Sequence, residues 1–166
     1  MPPERPCLSM TSMPEGEARG RRGPTRHAAQ REARRLALAA IFEAEFGLRT
    51  SSVALERALE ETPDQLASGE HARAIVGSVA RHGESIDAWI GRLAPTYPVD
   101  GLAFIDRALL RSALGEVLHC PTTPIRVAIS EWVELARTYS GEPARRLLNG
   151  VLGRVATEMA ETARES

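Results

Sequence analysis

Arginine is the residue type in this sequence with the clearest chemical potential. Seven arginines and a single acid, Glu32, fall between positions 19 and 35, so this window carries +6 while the other 149 residues sum to −7. All 21 basic residues are arginines, and a planar guanidinium can hold a phosphate group or a base edge through two hydrogen bonds. A basic segment on an acidic chain is typical of proteins that bind a polyanion, although a solvated arm without a ligand has the same pattern.

Helical spacing would place several of these arginines on one face of a helix. Arg31, Arg34 and Arg35 are three and four positions apart, and residues at that spacing share one face of a helix. We call these three residues the basic ridge, and Arg26 precedes them in the same predicted helix. All four arginines are therefore candidates for binding the phosphates of a nucleic acid.

Two further features would suit single-stranded RNA. Arg145 and Arg146 begin a predicted helix just after Pro143, where free backbone amides and the helix dipole favour a phosphate. An aromatic ring near the basic ridge, Phe42 or Phe46, could stack on an unpaired base. For Phe42 the alternative is packing in the core, which the helical pattern by itself favours.

The remaining polar residues do not assemble a catalytic or metal site. Two histidines three helical turns apart are too few ligands for a metal, so a solvated or hydrogen-bonded histidine is expected. His119 and Cys120 are neighbours but belong to no CxxC or HxxxH pattern. Glu131 and Glu134, three residues apart, fit a solvated helix face. No phosphate-binding loop, GxGxxG motif or nucleophile elbow is present, so we expect no enzyme, cofactor or metal. The pairs considered are His71 and His82, His119 and Cys120, and Glu131 and Glu134.

Apolar residues at helical spacing predict an all-α fold of five to seven helices. The loop 95–101, which contains two prolines, divides the predicted domain 25–160 into an N-terminal subdomain 25–94 and a C-terminal subdomain 102–160. Glycines 77 and 83 are possible breaks in the third helix, and the buried stripe of the fifth runs from Ile125 to Tyr139. The first predicted helix begins after Thr25, the second has Ser51 or Ser52 as its cap, and the third begins near Ala72. The fourth begins at Leu102, the fifth at Pro124 with Thr123 as its cap, and the last after Gly141.

The first 24 residues differ from the rest of the sequence. They contain five of the eleven prolines and no hydrophobic period, so we expect a disordered tail rich in Pro, Gly and Arg. The two cysteines, Cys7 and Cys120, do not make a disulfide framework. The sequence shows no signal peptide, and no apolar run approaches the ~18 residues of a bilayer span. These observations favour a cytoplasmic protein.

Four blocks of sequence match the pattern of a known family. Residues 105–118, IDRALLRSALGEVL, are similar to (V/I)-(D/E)-(R/K)-x-(I/L)-L-R-x-A-x-Y-E-L, and residues 124–137, PIRVAISEWVELAR, to P-x-x-V-x-I-N-E-x-(V/I)-E-L-A-K. Residues 147–152, LLNGVL, are similar to F-(V/I)-N-G-V-L, and residues 33–42 to A-R-x-x-A-x-Q-x-L-Y. In order and spacing, from about residue 30 to 157, the sequence resembles the NusB family of bacterial transcription antitermination factors.

The resemblance implies an all-helical fold of two packed subdomains and a non-enzymatic role. NusB proteins bind the boxA element of ribosomal RNA leaders together with NusE, a ribosomal small-subunit protein, in an antitermination complex on RNA polymerase. By resemblance, the basic ridge and Phe42 belong to the RNA surface, and Arg146 and Leu147 at the start of the last helix add to it. Asp106, with its neighbour Arg107, corresponds to the contact with NusE.

The sequence departs from the family blocks at three positions. Gly115 stands where the block has Tyr, Ser130 where it has Asn, and Leu147 where it has Phe, which removes a possible base-stacking ring. Two alternatives stay open: an RNA-free helical scaffold or dimerisation module, and a relative of the NusB-like domain of ribosomal RNA cytosine methyltransferases without the catalytic domain. Salt-dependent binding to RNA, seen as a shift in the mobility of the RNA, would exclude the scaffold alternative.

Overall fold

The fold of this chain is entirely helical over residues 25–166, the part that the computed structural model describes. This range holds six α-helices, two single-turn 3-10 helices at Pro63–Gln65 and Val99–Gly101, and no strand, which confirms the predicted fold class. The predicted disordered tail 1–24 lies outside the described residues. None of the helices described here is long and apolar enough to cross a membrane. The helices are α1 (Arg26–Ala44), α2 (Ser51–Glu61), α3 (Leu66–Leu93), α4 (Phe104–His119), α5 (Ile125–Tyr139) and α6 (Glu142–Glu165).

Threonine side chains begin the first two helices. Thr25 and Thr50 each accept a hydrogen bond from the backbone amide three residues later, at 3.2 and 3.3 Å. Such a bond satisfies one of the amides that a helix N-terminus leaves without a partner. Ser51 and Ser52, the predicted caps of α2, are its first two helical residues, so that prediction is wrong by one position.

The third helix passes through both glycines at which a break is expected. Only His82 departs from helical dihedral angles, with φ −116° and ψ 18°, immediately before Gly83. The predicted break is therefore a kink, and α3 also begins earlier than the apolar period indicates, at Leu66. At the kink, the ring of His82 stacks on the ring of His119 at the end of α4, with centroids 3.8 Å apart.

The fifth helix differs from its prediction at both ends. Pro124, not Thr123, is the N-cap, because the Pro124 carbonyl accepts the amides of Val127 and Ala128 while its own backbone is extended. Thr123 is buried, and its hydroxyl has no hydrogen-bond partner among the described residues. Tyr139 is 50% exposed rather than buried, since the buried stripe ends at Ala136.

One hydrophobic core is shared by the whole described fold. All six helices contribute buried apolar residues to a single cluster. Within it, α3 packs closely against α4 at Gly115. A Cβ atom at Gly115 would lie 2.7 Å from Val79 Cγ2 and 2.8 Å from Ser78 Oγ, so only glycine permits this approach. The division at 25–94 and 102–160 stays a prediction.

A buried carboxylate joins four helices. Glu116 of α4 accepts two hydrogen bonds from Arg34 of α1, at 2.9 and 2.8 Å, and one from Nε1 of Trp132 of α5, at 2.6 Å. Nε2 of His71 of α3 lies 2.9 Å from the same carboxylate. Burial by itself raises the pKa of Glu116, but the hydrogen bonds from His71 and Arg34 and the charge of Arg34 outweigh it and lower the pKa to about 2. We call these four residues the Glu116 cluster.

The Glu116→Gln variant should lose stability in a pH-dependent way. The pKa of Glu116 is lowered from its usual 4.5 to about 2 in the folded state. The ionised carboxylate therefore stabilises the fold above pH 4.5, and this contribution is lost as the pH falls towards 2. The variant leaves the buried Arg34 charge unpaired, which costs about 3 kcal/mol of unfolding free energy at neutral pH. Urea denaturation of both proteins from pH 7 to pH 2 measures the difference in unfolding free energy, which should shrink with acidification.

The Glu158→Gln variant, which loses an exposed partner of Arg92, serves as the control and should differ little from the parent at any pH. A pH-independent difference for Glu116→Gln would contradict the role of its charge.

The Gly115→Ala variant tests the close approach of α3 and α4. The added methyl overlaps the branched side chain of Val79 and the Ser78 hydroxyl, which is held by a 2.8 Å hydrogen bond to the Ile75 carbonyl. We expect a loss of about 1–3 kcal/mol in unfolding free energy, as for other overpacked cores. Gly153→Ala is the matched control, because its Cβ would meet nothing within 4 Å and alanine favours a helix by up to ~1 kcal/mol. Equal stability of the two variants would contradict the tight contact.

Candidate nucleic-acid interface

Arginines from three helices line one groove. The groove has a volume of about 800 Å³ and lies between α1, α5 and α6. Arg31 and Arg35 come from α1, Arg126 from α5 and Arg145 from α6. We call it the arginine groove. The structure thus brings together two predicted sites, the basic ridge and the start of the last helix, and adds a residue that the sequence analysis did not single out, Arg126.

One carboxylate in the arginine groove holds one of its cations. Nε of Arg31 donates to both oxygens of Glu131, at 3.2 and 3.1 Å, and Nε2 of His27 lies 3.6 Å from the same carboxylate. The Glu131 side chain is only 16% exposed, so its predicted place on a solvated face is wrong. A phosphate at Arg31 must therefore compete with Glu131.

The other candidate arginines differ in how strongly they are paired. Arg145 bonds Glu142 at 2.9 Å, and Arg35 lies 3.6 Å from Glu32. Arg126 and Arg26 are exposed and form no ion pair within residues 25–166. Arg26 is not among the residues that line the groove. Arg35 and Arg126 are therefore the cations of the groove that are most available to a ligand.

Arg34 does not belong to the exposed ridge. Its side chain is fully buried and lies within the Glu116 cluster, so the prediction that it shares an exposed face with Arg31 and Arg35 is wrong. The physical reason is that successive residues of a helix are 100° apart, so Arg34 lies beside the inward-facing Ala33 and Ala37. A single buried partner, Glu116, compensates the cost of burying its charge.

Arg146 and Leu147 lie in a different place from Arg145. They line a second cleft, of about 330 Å³, between α6 and the loop that follows α3. Tyr97 of that loop and Arg154 of α6 line the same cleft. We call it the Tyr97 cleft. Arg145 and Arg146, predicted as one pair, thus line two different concave sites on either side of α6.

Phe42 lies in a strip of aromatic rings instead of in the arginine groove. It is partly buried against the core, and its ring meets Phe46 edge to face at 5.2 Å, which in turn meets Phe104 at 5.4 Å. Phe46 is 54% and Phe104 42% exposed. These three rings, which we call the aromatic strip, lie at the C-terminal end of α1 and the start of α4. Of the two alternatives for Phe42, the structure shows packing against the core and places the ring outside the arginine groove.

The two candidate partner residues lie at the same end of α4. The guanidinium of Arg107 lies 5.1 Å from the Phe104 ring and binds the Glu45 carboxylate, with only 12% of its side chain exposed. Asp106 is partly exposed and accepts a hydrogen bond from Ser140 Oγ at 2.5 Å. Arg107 therefore gives the aromatic strip a polar edge but is mostly occupied within the protein, whereas Asp106 contacts Ser140 at the end of α5.

The histidines and the described cysteine have structural partners. His71 lies in the Glu116 cluster, and His82 stacks on His119. Burial raises the pKa of the Cys120 thiol and lowers the pKa of His119. Over residues 25–166, no three His, Cys, Asp or Glu side chains are close enough to hold a metal ion.

Comparison with known proteins decides the family. Residues 31–157 match the family model described as the NusB family. The chain belongs to the NusB family. It is 35% identical over 136 residues to a transcription antitermination protein NusB of Dehalococcoides mccartyi, covering 82% of this chain and 95% of that protein. It is 38% identical over 142 residues to a NusB of Symbiobacterium thermophilum, covering 81% and 93%.

Solved structures of the family share the fold. T. maritima NusB is 32% identical to this chain, with a TM-score of 0.70 over 78% of this chain and 91% of that one. A crystal structure of the antitermination factors NusB and NusE in complex with dsRNA contains a chain that is 22% identical, with a TM-score of 0.70 over 78% and 97%. At that identity, the second likeness shows the fold alone. The predicted resemblance to NusB is confirmed.

Proposed function

We propose that this chain is a non-enzymatic transcription antitermination factor of the bacterial cytoplasm. In this proposal it binds boxA-like single-stranded RNA together with NusE, within an antitermination complex on RNA polymerase. The observation that supports it most directly is the arginine groove, where four arginines from three helices face one space of about 800 Å³. Family membership supports the same function, and the NusB chain of similar fold is in a complex with NusE and RNA.

The charges of the arginine groove suit an RNA backbone. Each neutralised phosphate of a single strand releases bound counterion, which drives binding at low salt. Arg35 and Arg126 contribute this gain most fully, since no strong ion pair occupies them. Arg31 contributes less because it must first leave Glu131. The neutral polar side chains of Ser130 and Asn149 also line the groove and offer hydrogen bonds to bases or 2′-hydroxyls.

The aromatic strip supports a separate protein contact for NusE. The exposed rings of Phe46 and Phe104, with the Arg107 guanidinium 5.1 Å from the Phe104 ring, form the usual pattern of an interface, an apolar centre with a polar rim. Phe42 is eleven residues beyond Arg31, which corresponds to about 16 Å along the helix. RNA in the groove would therefore lie along the first half of α1, and a protein on the strip would lie at its C-terminal end. Stacking of Phe42 on a base stays a prediction.

The Arg35→Ala/Arg126→Ala variant should bind single-stranded boxA-like RNA more weakly and with a smaller salt dependence. Loss of two phosphate contacts should flatten the slope of log affinity against log salt by about 1.4, at roughly 0.7 per contact. Titrations at several salt concentrations measure this slope, with a double-stranded RNA as a second ligand. The charge-matched control is Arg57→Ala/Arg164→Ala, which removes two exposed arginines that do not line the groove.

The Glu131→Gln variant should act in the opposite direction, because it removes a negative charge from the groove and releases Arg31. Equal slopes for the groove variant and its control would contradict the arginine groove as the RNA site. A wild-type protein without salt-dependent RNA binding would favour the scaffold alternative.

The Asp106→Arg variant should weaken NusE binding without changing the helix content. Reversal of a charge at an interface places like charges together, which can cost several kcal/mol. Calorimetric titration with NusE measures the effect. Ser140→Ala is the control, since it removes the hydrogen bond to Asp106 but keeps the charge. If Asp106→Arg binds NusE as the parent does, Asp106 does not lie in the contact.

A further inference from the structure

The positive charge of the Tyr97 cleft is not balanced by any carboxylate in its lining. Arg146 and Arg154 line it, no acidic side chain does, and neither arginine forms an ion pair within the described residues. In the arginine groove, by contrast, Glu131 and Glu134 line the same space as the cations. An anion in the Tyr97 cleft would thus displace no carboxylate.

The ring of Tyr97 is exposed, and the backbone that carries it is stiff. The residue is 53% exposed and lies between Pro95 and Pro98, whose fixed φ angles stiffen the loop. The Tyr97 amide donates to the Ala94 carbonyl at 3.0 Å, and Nη1 of Arg154 donates at 2.9 Å to the carbonyl of Leu93, the last residue of α3, which ties the end of α3 to α6. A backbone restrained in this way loses little conformational entropy when the ring binds a ligand.

The cleft offers the parts of a site for one nucleotide. Single-stranded RNA is bound by an aromatic platform for the base together with cations for the backbone. Tyr97 supplies the ring, Leu147 and Val151 supply apolar surface, and Arg146 supplies a free guanidinium. These groups occur together although the loop and α6 are about 50 residues apart in sequence.

The Tyr97 cleft and the arginine groove lie on either side of one helix. Arg145 and Asn149 of α6 line the groove, and the residues that follow them, Arg146 and Gly150, line the cleft. A strand bound in the groove would therefore need to cross only α6 to reach the cleft.

We propose that the Tyr97 cleft is a second nucleotide subsite, in which the Tyr97 ring stacks on a base of single-stranded RNA and Arg146 binds the adjoining phosphate. This proposal rests on the proposed RNA-binding function and extends the RNA path beyond the arginine groove. It assigns to Tyr97 and Arg154 roles that neither motif nor spacing indicated, and it gives this chain an aromatic platform beside Leu147.

The experiment measures how the effect of the Tyr97 ring on RNA binding depends on the length of the RNA. The probes are a boxA-like single strand of about twelve nucleotides and its stepwise truncations from either end, since such sites span ~4–16 nucleotides. For the long RNA, Tyr97→Ala should weaken binding about 5- to 100-fold, the loss expected for one stacked base, with the salt slope unchanged. For truncations that fill only the arginine groove, the variant and the parent should bind equally.

Three further variants separate stacking from other effects. Tyr97→Phe should bind as the parent does, because stacking needs the ring and not the hydroxyl. Arg146→Ala should lower the salt slope by about 0.7, the value for one phosphate contact of a single strand. Tyr139→Ala is the matched control, since Tyr139 is equally exposed but lines neither concave site, and it should have no effect.

A second measurement does not depend on any variant. Ultraviolet cross-linking of the long RNA, carrying 5-bromouridine at single positions, to the wild-type protein should attach one position to residues 95–98. The subsite is overturned if Tyr97→Ala and Tyr139→Ala bind the long RNA equally and no cross-link reaches this loop, while groove binding persists. If the wild-type protein shows no salt-dependent RNA binding at all, the proposed function fails as well.

Discussion

The arrangement of this protein depends on one buried ion pair, between Arg34 and Glu116. The carboxylate of α4 also binds His71 of α3 and Trp132 of α5, so a single charged group holds four helices together. The pair fixes the rotation of α1 about its own axis. With Arg34 held inward, the 100° step per residue places Arg31 and Arg35 on the same side of it, about 40° apart and towards α5 and α6. The positive charges of Arg31 and Arg35 thus face outward because that of Arg34 faces inward.

Two kinds of cationic surface follow from this arrangement. In the arginine groove, cations and carboxylates are interleaved, and a ligand must exchange with Glu131 for Arg31. In the Tyr97 cleft, the cations have no carboxylate partner within the described residues, and they adjoin an exposed ring. The first surface favours ligands that can offer several charges at once, because a lone anion gains little from exchanging one partner for another. The second surface suits a flat ring with a single charge attached. Together they fit a polymer better than a small molecule.

The periodicity of apolar residues predicts five to seven helices, and the described residues form six, each with one buried face. The cap of α2 is wrong by one residue because Thr50 and Ser51 have similar capping side chains, and that of α5 because the Pro124 carbonyl, not the Thr123 side chain, begins the helix. Spacing places Arg31, Arg34 and Arg35 near one another but does not say which one faces inward. That depends on Glu116, which is 82 positions away. The Tyr97 cleft likewise needs the tertiary fold, since a loop and a distant helix form it. The family resemblance identified the C-terminal blocks, and Glu116 lies in one of them, yet its pattern does not show that the glutamate is buried.

The close contact at Gly115 limits the order in which this sequence can change over evolutionary time. A tyrosine at this position, as in the family block, has no space while Val79 and Ser78 face it at 2.7 and 2.8 Å from the missing Cβ. Smaller residues on α3, or a wider separation of α3 and α4, must come first. Separation of these helices would also strain the contact between His71 and Glu116, which spans the same two helices. Position 115 is therefore entrenched: each residue that has adapted to the glycine makes its replacement more costly.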